Sequence, residues 1–347
     1  MRILHLLNEL GDVGNGIVNT VVDLACSQAE MGHTVAIASS GGDFVELVES
    51  RGVQHFKVEQ FKKELNAFVG LNKVFASWKP DIVHGHMLTG FVVARVLQPL
   101  YRYRVVTTVH NEFKRSASWM GHANVMVAVS EENRQRLVDR GVPERRTTVV
   151  RNGVVGGART LGRPSEPVSL QHPNIVAVAG LFDRKGVGEV IEAFGALDAR
   201  YGAHLYIVGR GPERDKLEAQ AKALPCADRI HFEGFKTNAK DYLKAADIFV
   251  LASHSDPFPL VIPEARAAGC AIVATRVGGI TEGLENGARG ILVEPKSPPE
   301  LHAAFDLLLS DPAKLAHWRA QAAENLDWLT VRRMAVDYLN VYERARL

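Results

Sequence analysis

Short apolar runs recur along this chain, and stretches with helical spacing lie between them. The runs fall at 2–7, 34–39, 81–84, 104–109, 124–129 and 147–150, and again at 174–180, 203–208, 229–232, 247–252, 271–275 and 290–293. Runs this short and this continuously apolar are what strands buried on both faces look like. Helical spacing fills 17–31 and 65–78 in the first half, and 186–199, 212–223, 238–245, 263–268 and 298–309 in the second. The alternation predicts βαβ units and a mainly parallel sheet. Residues 151–173 interrupt it with Asn152-Gly153, Gly156-Gly157, Gly162, Pro164, Pro167 and Pro173, the composition of a linker. The pattern therefore predicts an α/β chain of two Rossmann-like domains, 1–160 and 161–329. A last helical stretch, 312–346, carries Trp318 and Trp328. Its end, 330–347, is expected to pack back on the first domain.

Composition narrows the function classes. A length of 347 residues suits two domains, and 46% hydrophobic with 23% charged residues is ordinary for a globular protein. The net charge of +2 carries no basic stripe, which argues against a nucleic-acid partner. Cys26, Cys226 and Cys270 are scattered without metal-ligand spacing and read as small core residues in a reducing compartment. The first apolar run is too short for a signal-peptide core, and no run reaches the roughly 18 residues of a membrane helix. The expectation is a cytoplasmic protein, at most peripheral at the inner face of a membrane.

The densest candidate chemistry is Ser253-His254-Ser255-Asp256-Pro257-Phe258-Pro259-Leu260-Val261-Ile262-Pro263-Glu264-Ala265. It reads as an acidic loop between a strand and a helix start. Free N–H groups and the helix dipole favour an anion there, and the two carboxylates can accept bonds from hydroxyls. Gly180-Leu181-Phe182-Asp183-Arg184-Lys185-Gly186 puts two cations at a strand-to-helix turn, either a solvated pair or a diphosphate site. Gly209-Arg210-Gly211-Pro212 is a second such turn, with Pro212 suited to the first helical position. Glu233-Gly234-Phe235-Lys236 closes the next strand, where a backbone contact to a flat base edge is one option the sequence alone does not show, and Glu282 faces either a ligand or solvent.

In the first half, Gly11-Asp12-Val13-Gly14-Asn15-Gly16 follows the first strand as a turn or a binding loop, without dinucleotide spacing. His84-Gly85-His86 and His110 end strands, where open α/β sheets bind ligands. His84 and His86 show no third ligand, so no metal site is expected. Ser130-Glu131-Glu132 reads as a helix cap with first-turn acids.

Taken in order, the Gly-rich loop, His110, the Arg184-Lys185-Gly186 turn, Gly209-Arg210-Gly211-Pro212, the Asp256 to Glu264 spacing and Gly278-Gly279-Ile280-Thr281-Glu282 resemble the family-4 retaining glycosyltransferases (glycosyl transferases group 1), which have the GT-B fold. The resemblance covers nearly the whole chain and is most specific over 246–274. It implies two Rossmann-like domains facing across a cleft. The second would bind a nucleoside-diphosphate sugar, most commonly a UDP-sugar, and the first an acceptor. It gives Glu264 the ribose hydroxyls, Asp256 a place beside the donor sugar, and the amides at Leu260 and Val261 the diphosphate. Lys185, with Arg184 beside it, matches the phosphate-binding lysine. His110 matches a histidine near the donor sugar, and Gly16, with Gly14, the close-approach loop. Gly209, Phe235 and Glu282 complete the implied donor site.

Two positions depart from the family pattern: Asp256 stands where the first acid is usually Glu, and Gly180 where an Arg is frequent. The implied reaction is retaining transfer to a hydroxyl of a glycan or lipid-linked acceptor, with the donor as substrate and no cofactor. No Asp-x-Asp motif occurs, so no metal is expected. A sugar-nucleotide epimerase of the same architecture and a non-catalytic sugar-nucleotide binder remain as alternatives. Phe56, Lys57, Phe61, Lys62, Lys63, Arg102, Arg104, Phe113, Lys114, Arg115 and Trp119 suit an anionic or lipid-linked acceptor or membrane docking, and equally a solvated rim.

Overall fold

The computed structural model describes residues 1–58, 64–111, 115–161 and 167–347, except the side chains of 64, 65 and 115. The chain divides into two compact units, Met1–Arg163 with Asp327–Leu347, and Pro164–Leu326.

The first unit holds β1 (Arg2–Leu6), α1 (Gly16–Glu30), β2 (Thr34–Ser39), α2 (Val45–Ser50), β3 (Gln54–Lys57), α3 (Glu64–Trp78), β4 (Ile82–Gly85), α4 (Leu88–Leu97), β5 (Arg104–Val109), β6 (Val125–Ala128), α5 (Glu131–Asp139) and β7 (Thr147–Val149). Its seven strands run in the order β3-β2-β1-β4-β5-β6-β7, every pairing parallel. The second unit holds β8 (Asn174–Val178), α6 (Val187–Gly195), β9 (His204–Val208), α7 (Arg214–Lys222), β10 (Ile230–Gly234), α8 (Ala239–Lys244), β11 (Ile248–Leu251), α9 (Val261–Ala268), β12 (Ala271–Thr275), α10 (Gly278–Gly283), β13 (Ile291–Val293), α11 (Pro298–Ser310) and α12 (Pro312–Ala323). Its six strands run β10-β9-β8-β11-β12-β13, again all parallel. Each sheet has apolar clusters on both faces. That is why β11 and residues 271–274 of β12, buried at every position, appear as uninterrupted apolar runs.

The expected single helix over 312–346 is two. α12 closes the second unit, Asn325 takes a positive φ of 52°, and α13 (Val331–Arg346) belongs to the first. Thr330 starts α13 by accepting the Arg333 N–H at 3.2 Å. Val331, Met334, Ala335, Tyr338, Val341, Tyr342 and Ala345 form one buried face of α13 against Ile3, Ile82, Val106 and Val127. Each large side chain on that face stabilises by about 1.5–3 kcal/mol. The segment is also pinned by Val154 N–H to Leu329 O at 2.8 Å and Val331 N–H to Val155 O at 3.0 Å. Part of the Gly-rich linker is fixed rather than loose: Arg159 bonds the buried Asp23 of α1 at 2.9 Å from Nε and 3.0 Å from its N–H.

Three further expectations need adjustment. β3 was not anticipated, because it is an edge strand of mixed polarity. α7 begins at Arg214, and Pro212 lies in the preceding turn, where Glu213 N–H bonds Leu181 O at 3.1 Å. Phe61, Lys62, Lys63, Phe113, Lys114 and the Arg115 side chain lie outside the described residues. Among the described residues no helix is long and apolar enough to cross a membrane.

Candidate functional site

In each sheet the strand order reverses direction at one place, between β1 and β4 in the first unit and between β8 and β11 in the second. The carboxyl ends of such a strand pair are where open α/β sheets bind ligands. In the second unit, the segments leaving β8 and β11 there are 179–186 and 252–260.

These two segments are bonded to each other. His254 N–H donates to Arg184 O at 2.8 Å. Lys185 Nζ reaches Asp256 Oδ2 at 2.5 Å, with side chains 15% and 9% exposed, so the pair is largely shielded from water. His254 Nε2 meets Glu189 Oε1 of α6 at 2.7 Å. Gly186 makes the close approach possible. It sits at φ 65°, and a Cβ there would lie 2.0 Å from Ala252 O. The far side of the acidic loop is held by Gly278, at φ 49°, where a Cβ would lie 2.1 Å from Asp256 O, and by Gly279 N–H bonding that oxygen at 3.0 Å. The Gly278-Gly279 pair, which opens the sequence motif ending at Glu282, thus shapes the loop that carries Asp256.

The loop delivers the chain into α9. Ile262 N–H bonds Pro259 O and Glu264 N–H bonds Leu260 O, at 3.3 and 3.1 Å. The N–H groups of Leu260 and Val261 have no acceptor among the described residues. Two free amides at a helix start, on the loop whose Asp256 pairs with Lys185, have the donor geometry that suits an anion. Glu264 follows in the first turn of α9, half-buried. Arg266, fully buried on the same helix, anchors α9 through Ala322 O, Gly283 O, Glu324 O and Glu285. Nothing in the sequence around Arg266, between Ala265 and Ala267, marks that role.

The remaining second-unit candidates lie near this edge in less decided roles. The Arg184 guanidinium lies over the Phe182 ring, 5.7 Å from the centroid. Phe182 also explains Gly180, since a Cβ at 180 would lie 3.0 Å from Phe182 Cε2. Gly209 ends β9 and bonds Gly234 O at 2.8 Å. Phe235 follows β10 with the Arg210 guanidinium 4.7 Å above its ring. Glu282 is half-buried on α10.

In the first unit, Gly14 (φ 74°) is exposed in the loop after β1 and Gly16 is exposed at the first position of α1, which the Asn15 side chain caps through Ile17 N–H at 3.1 Å. Ser130 caps α5 through Asn133 N–H at 3.2 Å, the structural role its sequence suggested. His110, half-buried after β5, bonds through Nε2 to His86 Nδ1 at 3.1 Å. His86 Nε2 meets His5 Nδ1 at 3.0 Å, and His5 Nε2 meets Gln28 Oε1 at 2.9 Å. Burial pushes His5 and His110 down to about 4, and holds His84 and His86 well below the usual histidine value, so all four are neutral at pH 7.

The expectation that His84 and His86 lack a third neighbour needs correction. His5 lies opposite His84 in the β1–β4 register, and one ring nitrogen from each of the three falls within 4.8 Å of the others. All six ring nitrogens nevertheless already have hydrogen-bond partners, so the cluster is satisfied as a polar network.

Comparison with known proteins agrees with this architecture. The description Glycosyltransferase Family 4 matches residues 14–155, and Glycosyl transferases group 1 matches residues 161–325. A glycogen synthase of Mycobacterium tuberculosis is 32% identical over 288 residues, 74% of this chain and 67% of that protein. The lipopolysaccharide core biosynthesis glycosyltransferase LpsD of Rhizobium meliloti is 26% identical over 282 residues, 79% of this chain and 78% of that one. The crystal structure of Anabaena Alr3699/HepE in complex with UDP-glucose matches with a TM-score of 0.79 at 19% identity, covering 98% of this chain and 100% of that one. At that identity the structural likeness speaks for the fold. With the sequence matches beside it, this chain belongs to the group 1, family 4 glycosyltransferases and is a glycosyltransferase of GT-B fold.

Proposed function

We propose that this enzyme moves a hexose from a nucleoside-diphosphate sugar, a UDP-sugar, to a hydroxyl of a glycan or lipid-linked acceptor, with retention at the anomeric carbon. The observation that carries the donor half is the acidic loop of the second unit, which pairs Asp256 with Lys185 at 2.5 Å and leads into the unpartnered N–H groups of Leu260 and Val261. UDP-glucose in the Anabaena structure supports the choice of donor, and retention rests on the family resemblance.

In this reading Lys185 and the two amides face the diphosphate. Charge grows on that group as the glycosidic bond breaks, so donors already aimed at it favour the transition state over the ground state. They supply the positive field without a divalent cation. Glu264 accepts from the ribose hydroxyls. Asp256 holds Lys185 in position and, one methylene shorter than Glu, leaves more room beside the sugar. Arg184, Gly209, Phe235 and Glu282 border the nucleotide. In the first unit, Gly14 and Gly16 let the backbone come close to substrate, and His110 hydrogen-bonds the sugar.

The acceptor reading draws on the first unit's surface. Val96, Leu100 and Trp119 are 61%, 71% and 65% exposed, with the exposed Arg102 on the same stretch of chain as Leu100. Apolar and basic groups together suit a lipid-linked acceptor at an anionic membrane. LpsD, a lipopolysaccharide core enzyme by name, agrees with such an acceptor.

The test is product analysis with a panel of nucleoside-diphosphate sugars, with and without glycan and lipid acceptors. The expected result is acceptor-dependent release of the nucleoside diphosphate and a product with the donor's anomeric configuration. Release of an altered free sugar without acceptor, or binding with no turnover on any acceptor, would overturn the proposal.

A further inference from the structure

The first unit encloses a polar chain that the transfer reaction does not explain. Gln28, His5 and His84 are fully buried and His86 is 3% exposed, so water has no access to exchange partners with them. Their bonds form two arms that meet at the Gln28 amide. In one arm, Gln28 Oε1 can only accept, so His5 Nε2 carries the proton (2.9 Å). A neutral imidazole has a single N–H, so His5 Nδ1 is bare and accepts from His86 Nε2–H at 3.0 Å. His86 Nδ1 is then bare in turn and accepts from His110 Nε2–H at 3.1 Å. In the other arm, Gln28 Nε2 donates to the Tyr342 hydroxyl at 3.3 Å, which donates to His84 Nδ1 at 2.7 Å. His84 Nε2–H then donates to Thr108 Oγ1 at 2.8 Å, and Thr108 meets the Tyr338 hydroxyl at 3.0 Å. One amide orientation therefore dictates the polarity of both arms, and turning it over would reverse every proton along them.

We propose that Gln28, through His5 and His86, fixes His110 as the Nε2–H tautomer, so that its bare Nδ1 is offered as an acceptor for a hydroxyl of the sugar substrate. Nδ1 has no partner among the described residues, which leaves it for a ligand. Gln28, His5 and His86 are positioning residues, because they act only through His110. The proposal rests on the reading that His110 meets the donor sugar. It deepens that reading by stating which way the hydrogen bond runs: the sugar hydroxyl donates and the imidazole accepts. A donor with that hydroxyl removed or methylated has no proton to give and is discriminated against.

The experiment is long-range 1H–15N correlation spectroscopy on protein labelled at histidine nitrogens, with His110 assigned by the signal missing from His110→Gln. The wild type is expected to show His5, His84, His86 and His110 all protonated on Nε2. Gln28→Glu keeps an acceptor facing His5 and should preserve the Nε2–H form of His110. Gln28→Leu removes the acceptor and should move His110 toward a mixture of tautomers, with KM for the donor rising more than kcat falls. Wild-type His110 carrying its proton on Nδ1 overturns the proposal without recourse to any variant. An unchanged His110 tautomer in Gln28→Leu does the same and reduces Gln28 to a packing residue. A shifted tautomer with unaltered donor KM leaves the chain standing and overturns the sugar contact of His110 instead, so the two failures are distinct.

Discussion

Removing the amine of Lys185 tests how the acidic loop is held. In Lys185→Met the methylene stem is largely kept and the charge is lost. Asp256, 7% exposed, is left without the cation that sits 2.5 Å away. Loss of one partner from a buried pair costs about 3–5 kcal/mol, most of it the penalty of an uncompensated charge. Because the Lys185 side chain keeps 15% of its exposure, the lower end applies, about 3 kcal/mol. For a unit of this size that is a fall in Tm of roughly 6–12 °C. Asp256→Asn should cost a similar amount by orphaning the amine. The double variant has no stranded charge and should cost about as much as either single one, not their sum, which corresponds to a coupling of about 2–3 kcal/mol. The assay is urea and thermal denaturation of all four proteins without ligand. Additive losses, with coupling near zero, would refute the claim that the pair organises the loop.

Three other outcomes follow from the geometry. Gly278→Ala places a Cβ 2.1 Å from Asp256 O at a φ of 49°, and should cost about 2 kcal/mol or more in chemical denaturation, whereas a loss under 0.5 kcal/mol would contradict the close approach. Stability should fall as pH drops from 6.5 toward 4, because the unfolded chain takes up protons that the buried histidines refuse. With His5 held down to about 4, it alone contributes about 2 kcal/mol of loss between pH 7 and pH 5, and a flat profile over that range argues against the neutral cluster. Leu100→Ser with Trp119→Ser should weaken co-sedimentation with vesicles containing anionic lipid about tenfold while leaving nucleotide binding intact, and equal sedimentation of both proteins removes the membrane contact.

Most of the parallel core could be read from the chain because strands covered on both faces leave uninterrupted apolar runs, as at 248–251 and 271–274. β3 left no such run, since Gln54-His55-Phe56-Lys57 lies at the sheet edge with one neighbour and both ends exposed. The break between α12 and α13 has neither proline nor glycine at 324–330. It is made by Asn325 at positive φ and the Thr330 cap, and the Thr before an amphipathic run was the available signal. In the site, Lys185 and Asp256 were legible because each ends a strand in a short polar turn. Their mutual contact was not, since it spans 71 positions and depends on which strands are neighbours. His5 was hidden inside the first apolar run. Only the pairing of β1 with β4 sets it opposite His84, and only the return of α13 brings Tyr338 and Tyr342 to the same cluster.

The proposed transfer requires the acidic loop of the second unit to hold a nucleotide sugar. Calorimetric titration of UDP-glucose and a set of other nucleoside-diphosphate sugars into the wild type and Lys185→Met tests it most directly. The wild type should bind one of them with a saturable isotherm, and the bare nucleoside should bind far more weakly because it lacks the diphosphate. Lys185→Met should lose tenfold or more in affinity, at least about 1.4 kcal/mol. No binding of any member of the set, or binding that Lys185→Met leaves unchanged, would contradict the account.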